Sequence, residues 1–366
     1  MISLLVVFIA LMIGIAYLLL LRSYDIYEPE PFSVMLVIGA AGGIISVTLS
    51  LLMYLPLNVE HTFYDAIFKI GLIEELSKYF AFYMLFHFIR NQVDEIVDGL
   101  IYISCIALGF ATIENVMYAF GSESPFFVLA MRAVTSTIGH MAFSGSIGLA
   151  LYIHQRVHRN YIGIVASLIY AILAHGVYDG LLFEHETLAF YASFILMVYT
   201  QWLVLKASLS FSHFRPQFSK DLFETKDHTK KSFCSNCEIA VVNPEIQFRK
   251  LKGSYCHQCS HLLFDVKNWK KLMKYYRPIS SRSKRIPSTK GPNDPAGQFQ
   301  LKMREIYNFK NGHASVHPYH ANHWLESVNI ADQERILKRP VIGWILQSIG
   351  FRKAKGRIKP SEDLNF

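Results

Sequence analysis

Charge is scarce in this chain. Only 17% of its 366 residues are Asp, Glu, Lys or Arg, against about a quarter in soluble domains, and the mean hydropathy is positive at +0.26. A single water-soluble globule is thereby excluded. Basic residues are rarest in the first part: residues 1–205 hold 7 Lys/Arg and 15 Asp/Glu, a net of −8. Residues 206–366 hold 29 and 13, a net of +16. An apolar part is joined to a basic one that could meet anionic lipid, nucleic acid or an acidic partner. Cysteine is sparse too, with Cys105 in an apolar run and four others in the basic half. That count and placement do not make a secreted disulfide scaffold. There is no internal repeat, which speaks against the duplicated broken helices of many secondary transporters.

What is present in abundance is long apolar runs. A helix needs about 20 apolar residues to cross a bilayer, and seven runs qualify: 2–21, 34–57, 63–89, 96–120, 126–153, 161–183 and 187–205. The first lacks the basic lead and small-residue cleavage site of a signal peptide, so it is read as a span. Arg22, Arg90, Arg156 and Arg159 follow spans 1, 3 and 5, while the loops after spans 2, 4 and 6 have no Lys or Arg. The positive-inside rule then puts the N-terminus outside and the C-terminal tail in the cytoplasm of a multi-pass cell-membrane protein. Beyond the spans, 206–232 reads as a linker, 233–264 as a cysteine-bearing module and 265–366 as a basic tail. Within the tail, 278–299 reads as a flexible connector. The apolar patch 340–351 suits either a membrane-surface contact or a small core.

Ionisable groups inside spans cost roughly 2.5–3.5 kcal/mol or more at the bilayer centre, which makes them functional candidates. Span 3 carries Glu74, Glu75 and Lys78; at helical spacing the lysine reaches either carboxylate, leaving one for base chemistry. Span 4 carries Glu114 and Asn115, and Asp98 lies near its entry. Span 5 carries His140, with Arg132 nearer the outside. In span 6, His175 and Asp179 stand one turn apart on one face, so the carboxylate can fix the imidazole tautomer. At 1.5 Å per residue, Glu74 lies about 16 Å from the outer end of its span and His140 about 21 Å from its own. Glu114 and His175 lie roughly 27 and 21 Å from the inner ends of theirs. These depths are compatible with one cavity in the middle-to-outer part of the membrane. Each residue also has a bland reading: a packing ion pair, an interface carboxylate or a hydrogen-bonded core histidine.

The set Glu74-Glu75-x-x-Lys78, Phe110-x-x-x-Glu114-Asn115, His140 and His175-x-x-x-Asp179 resembles the PrsW family of intramembrane proteases, within the superfamily that includes the CAAX prenyl proteases. The resemblance covers roughly residues 30–205. It implies cleavage of a peptide bond in or near the membrane, typically in regulated proteolysis of an anti-sigma factor. It also implies Glu74 as water-activating base with Glu75 its partner, Glu114 and His175 completing the water site, and Asp179 orienting His175 or the scissile group. The wider superfamily often has histidine in place of Glu114 and asparagine in place of Asp179, so His175, His140 and Asn115 all stand as oxyanion candidates.

In the basic half, Cys234-x-x-Cys237 and Cys256-x-x-Cys259 enclose eighteen residues, the spacing of a zinc ribbon with one tetrahedral structural site. A looser series, His313, His317, His320 and His323, reads as a solvated loop rather than a second metal site. The expected architecture is thus an all-α polytopic helix bundle of about seven transmembrane helices, followed by a small cytoplasmic zinc-ribbon module and basic tail. The expected function is that of an intramembrane endopeptidase, with carboxylate-activated water and no catalytic metal. The alternatives are a zinc-dependent version using three or four of the same residues, a proton-coupled transporter and a membrane scaffold. The expected partners are a membrane-protein substrate, the bilayer and anionic headgroups at the tail, with nucleic acid disfavoured.

Overall fold

The computed structural model describes residues 2–212, 224–248, 251–275, 307–310, 313–316 and 329–351. The connector expected over 278–299, and His317, His320 and His323, lie outside the described residues. The chain divides into two compact units, one of Met1–His213 with Arg339–Arg352 and Arg357–Phe366, the other of Phe214–Lys338 with Lys353–Gly356.

The first unit is a helix bundle. Its elements are α1 (Ile2–Tyr24), α2 (Phe32–Tyr54), α3 (Phe63–Asp65), a π-helical turn (Ala66–Gly71), α4 (Leu72–Ile89) and α5 (Ile96–Phe120). Then come α6 (Pro125–Val134), α7 (Ser136–Tyr152), a second π turn (Ile153–Val157), α8 (Tyr161–Phe183) and α9 (Thr187–Phe211). Among the described residues six helices, counting α6, α7 and the π turn after them as one, are long and apolar enough to cross a membrane. The remaining expected span, 63–89, is formed as α3, the π turn and α4. It drops out of that count because it carries Asp65, Lys69, Glu74, Glu75 and Lys78. Such a helix survives in an apolar setting by enclosing its charges, and Glu75 and Lys78 have no exposed surface.

Helix α5 is the axis of the bundle, with α2 and α7 packed on it at close range. Small residues permit this approach, the usual basis of helix packing in lipid. A Cβ on Gly43 would stand 2.5 Å from the carbonyl carbon of Gly109, and Gly99 and Gly148 meet so closely that neither has room for one. The same device brings the third span to α8: a Cβ on Gly176 would lie 2.5 Å from Ile67 Cα, and one on Gly71 2.7 Å from the Ile172 carbonyl oxygen. That contact sets Glu74 and Glu75, one turn beyond Gly71, beside His175.

The apolar patch at 340–351 proves to be core. It forms α11 (Pro340–Ile349), which rejoins the first unit and packs on α8. Ile342, Leu346, Ile349 and Phe351 are buried, Asn160 Nδ2 donates to the Ile349 carbonyl at 2.8 Å, and Phe351 meets Phe211 edge-on. Trp344 remains exposed.

The second unit is built on a six-stranded antiparallel sheet in the order β1-β2-β3-β4-β6-β5. The strands are β1 (Glu224–Cys234), β2 (Ile239–Phe248), β3 (Leu251–Tyr255), β4 (Leu262–Asp265), β5 (Tyr307–Lys310) and β6 (His313–Val316), and α10 (Val266–Tyr275) follows β4. Residues 206–232, expected as a linker, thus begin as the last turns of α9 and end inside β1. Nor does the ribbon close at residue 264. The β5–β6 hairpin pairs with β4, covering an edge that would otherwise present unpaired backbone groups.

Candidate active site

Helices α4, α5, α7 and α8 deliver the carboxylates, the lysine and the two histidines to one place, and α6 adds Arg132. Glu75, at the centre, has no exposed surface. Its Oε1 accepts from Lys78 Nζ at 2.7 Å and from His175 Nδ1 at 3.0 Å, and its Oε2 accepts from Ser144 Oγ at 2.7 Å. Lys78 had two carboxylates in reach by spacing, and the structure chooses: Glu74 Oε2 is 3.9 Å away. The ammonium also donates to His140 Nδ1 at 2.9 Å and sits 4.4 Å above the Phe110 ring. Since an ammonium only donates, His140 Nδ1 is the acceptor and Nε2 carries the proton. That Nε2 donates to Glu114 Oε2 at 2.9 Å. Glu114 is further neutralised by Arg132 Nη2 at 2.7 Å.

Glu74 is bonded differently. Its Oε1 accepts from the Tyr54 hydroxyl at 3.2 Å, whereas Oε2 is buried without a hydrogen-bond partner, 3.7 Å from His175 Nε2. His175 Nε2 in turn lies 3.2 Å from Asp179 Oδ2. The two imidazoles meet edge-to-face at 4.8 Å between centroids, and Phe143 stacks on His175 at 5.1 Å. A cleft of about 280 Å³, lined by Ser50, Tyr54, Glu74, Phe110, Glu114 and Tyr118 among others, opens over this group. Exposure is graded accordingly: Glu75 and Lys78 are sealed, Glu74 is slightly open, and Glu114 and Asp179 are 17% and 19% exposed. Asp179 and Glu114 are four and six residues from the ends of α8 and α5, so about 6 and 9 Å from those ends. The site therefore sits toward the end of the bundle bearing loops 55–62, 121–124 and 184–186, not at its middle.

Asn115 is brought close but turned aside. Its Nδ2 donates to Thr137 Oγ1 and its Oδ1 accepts from Arg132 Nε, at 2.9 and 2.7 Å. It braces the arginine that neutralises Glu114. Three contributors were not assigned roles from sequence: Tyr54, Ser144 and Arg132. Arg132 carried a signal, as a lone basic residue inside an apolar run. Tyr54 and Ser144 carried none, being ordinary residues of helix ends and helix interfaces.

Residues 30–205, which contain this whole constellation, match the family model described as PrsW family intramembrane metalloprotease. Protease PrsW of Geobacillus kaustophilus is 30% identical over 213 residues, which are 56% of this chain and 91% of that protein. The chain belongs to the PrsW protease family. Protease PrsW of Clostridioides difficile is 30% identical over 212 residues, 54% of this chain and 80% of that protein. The Bacillus subtilis protein of the same name is 28% identical over 200 residues, covering 53% and 89%. No solved structure matches the chain. Membership in the PrsW family makes the chain an intramembrane protease and a multi-pass membrane protein, acting on a membrane-protein substrate.

In this PrsW-family chain three groups of the described residues lie close enough to hold a metal, and two of them consist of residues singled out from the sequence. One is Glu74, His140 and His175, each offering a ligand atom within 4.8 Å of the others. A carboxylate with two imidazoles is a donor set known for catalytic zinc, and the unpartnered Glu74 Oε2 fits it. The other is Cys234, Cys237, Cys256 and Cys259, likewise within 4.8 Å of one another. Cys234 closes β1 and Cys256 follows β3, so each pair occupies a hairpin turn. Glu238 and Ser260, each just after the second cysteine of a pair, adopt φ of 56° and 59°. This shared left-handed residue bends both turns alike. Backbone N–H groups of Asn236 and Cys237 point at Cys234 Sγ, suiting a thiolate.

Proposed function

We propose that the chain hydrolyses a peptide bond in or beside the membrane-embedded part of a membrane protein, with Glu74 as the base that activates water. The observation that carries this reading is the buried Glu74 Oε2, which lacks a hydrogen-bond partner and faces His175 Nε2 at 3.7 Å beside the cleft. A water there loses its proton to Glu74 as its oxygen attacks the scissile carbonyl. Glu75 accepts from Nδ1–H and Asp179 from Nε2–H of a protonated His175, and the Nε2–H turns from Asp179 to the developing oxyanion as charge builds there. Collapse of the tetrahedral adduct breaks the C–N bond, and the proton held by Glu74 passes to the leaving amine. Arg132 and His140 keep Glu114 charged and still at the cleft wall. Comparing cleavage of a membrane-anchored peptide by wild type and Glu74→Gln tests this role.

A second reading has a specific observation behind it: Glu74, His140 and His175 converge closely enough for zinc. When bound, zinc would polarise a carbonyl or acidify water. In favour of the metal-free reading, both nitrogens of His140 are already engaged, by Lys78 and by Glu114. His140 would have to give up one of them to become a ligand.

The regulatory role follows the family resemblance: a membrane-anchored regulator of the anti-sigma type is the proposed substrate. The four cysteines are proposed to hold a structural zinc. Loop charges support a cytoplasmic tail, whose net charge of +16 over 206–366 suits anionic headgroups, with about 1 kcal/mol from each basic residue near the surface.

A further inference from the structure

An unpaired polar group is buried on the side of α7 away from the catalytic residues. Helix α7 turns His140 and Ser144 toward Glu114 and Glu75, whereas its Ile138, Met141 and Ala142 line a groove of about 230 Å³. At about 100° per residue the two sets fall on roughly opposite faces of the helix. The groove opens sideways between α1 and α9. Leu20 and Tyr24 of α1 and Trp202 of α9 form its exposed rim, and Ser104 of α5 and Gln201 of α9 lie on its floor.

Gln201 is 8% exposed, and among the described residues neither its Oε1 nor its Nε2 has a hydrogen-bond partner. The amide lies against α7 where a Cβ on Gly145 would collide with its Nε2. Ser104 Oγ reaches the Met141 carbonyl only at 3.5 Å, longer than a normal hydroxyl hydrogen bond. A buried carboxamide left unpaired is costly, and hydrocarbon tails cannot pair it. One turn beyond Trp202 on the same face of α9, Lys206 is exposed, and its Nζ stands 4.6 Å over the Trp202 ring. An aromatic rim ending in a lysine marks the interfacial layer of a membrane. From Gln201 to Lys206 is five residues, about 7.5 Å along the helix. The amide therefore lies just inside that layer, near the depth of lipid ester groups rather than at the bilayer centre.

We propose that this groove binds one anionic glycerophospholipid of the leaflet that meets the C-terminal end of α9. Lys206 takes the phosphate, Gln201 Nε2 donates to an ester carbonyl, and one acyl chain lies over Met141 and Ala142. Gln201 Oε1 takes a headgroup hydroxyl or a water carried in with it. The basic tail attracts lipid by charge alone, whereas here a neutral amide inside the bundle makes the contact. Bound there, the lipid bridges α1 and α9 and buttresses the helix that carries His140 and Ser144.

The test uses the delipidated full chain in neutral detergent, with dioleoyl phosphatidylglycerol as the probe. Native mass spectrometry should show saturable retention of about one lipid per chain, and saturating lipid should raise Tm by several degrees, since it binds only the folded state. Gln201→Leu leaves the charge of the chain unchanged and should weaken retention about tenfold or more. Without lipid, the same variant should match or exceed the wild-type Tm, because it removes an unpaired amide. Lys206→Gln should abolish the preference for phosphatidylglycerol over phosphatidylcholine, and Glu74→Gln should bind like wild type, which separates this groove from the proposed active site. Should Gln201→Leu not fold, Ala142→Leu fills the groove from α7 and should likewise block retention. Equal retention by wild type and by whichever of these two variants folds would place the lipid elsewhere, as on the basic tail, and overturn the proposal. So would a lower Tm for lipid-free Gln201→Leu, which would mean that the amide is paired within the protein. A dimer dispersed by Gln201→Leu, with no lipid retained, would overturn it too, making the groove an interface between copies.

Discussion

Glu75 Oε1 accepts from His175 Nδ1 at 3.0 Å, and this contact decides which edge of the imidazole is left for chemistry. With Nδ1 engaged, only Nε2 faces Glu74, Asp179 and the cleft. Adjacent in sequence, the two glutamates are bonded differently: Glu75 accepts from three donors, one of them the Lys78 ammonium, whereas Glu74 accepts from Tyr54 and has one oxygen without a hydrogen bond.

This asymmetry predicts the effect of removing either carboxylate charge. Glu74→Gln should lower kcat for cleavage of a membrane-anchored substrate by roughly 10²–10⁴-fold, the range for a lost general base, with Tm little changed. Cleavage within tenfold of wild type would remove Glu74 from the role of base.

Lys78 should matter first to stability. Lys78→Met leaves Glu75 buried without its cation and should cost about 3–5 kcal/mol, read as a large fall in Tm. Lys78→Met combined with Glu75→Gln should recover most of that loss while activity stays low. An additive double variant would mean that the buried pair is not the stabilising unit.

Metal dependence can be read once the ribbon is silenced. A chain with Cys234, Cys237, Cys256 and Cys259 replaced by serine is expected to lose the roughly one zinc bound per wild-type chain and still to cleave substrate in excess chelator. Activity lost on chelation and restored by zinc would instead make Glu74 and His175 ligands.

Topology is checked at two exposed loop positions, Glu123 and Arg159. In intact cells an impermeant thiol reagent should label Glu123→Cys, and should label Arg159→Cys only after the membrane is opened. The reverse pattern would invert the bundle and place the cleft at the cytoplasmic end.

Bracing of the cleft gives a further expectation. Arg132→Gln removes the ion pair to Glu114 and the contact with Asn115, and should reduce kcat by about tenfold or more while Glu74 is untouched. Asn115→Ala, acting only through the arginine, should have a smaller effect in the same direction. A larger loss for Asn115→Ala than for Arg132→Gln would return Asn115 to the list of direct oxyanion donors.

The sequence by itself determined the helix bundle, because long apolar runs satisfy their backbone only as helices in lipid. It also determined the cysteine module, because two Cys-x-x-Cys turns at ribbon spacing need no long-range information to be read. The set Glu74, Glu75, Lys78, Glu114, His140, His175 and Asp179 was legible too, since charge inside an apolar run stands out at once. Only the tertiary structure decided which glutamate Lys78 takes, that Asn115 faces Arg132 rather than the cleft, and that Tyr54 and Ser144 hold the two carboxylates. These choices rest on which helix faces meet, and that is set by glycine contacts such as Gly71 and Gly176 against neighbouring backbone. It also decided that 340–351 is core and that the strand edge at Leu262–Asp265 recruits a hairpin more than forty residues later. Local pattern fixes what a segment is; what it touches depends on shape complementarity between segments distant in the chain, which no periodicity records.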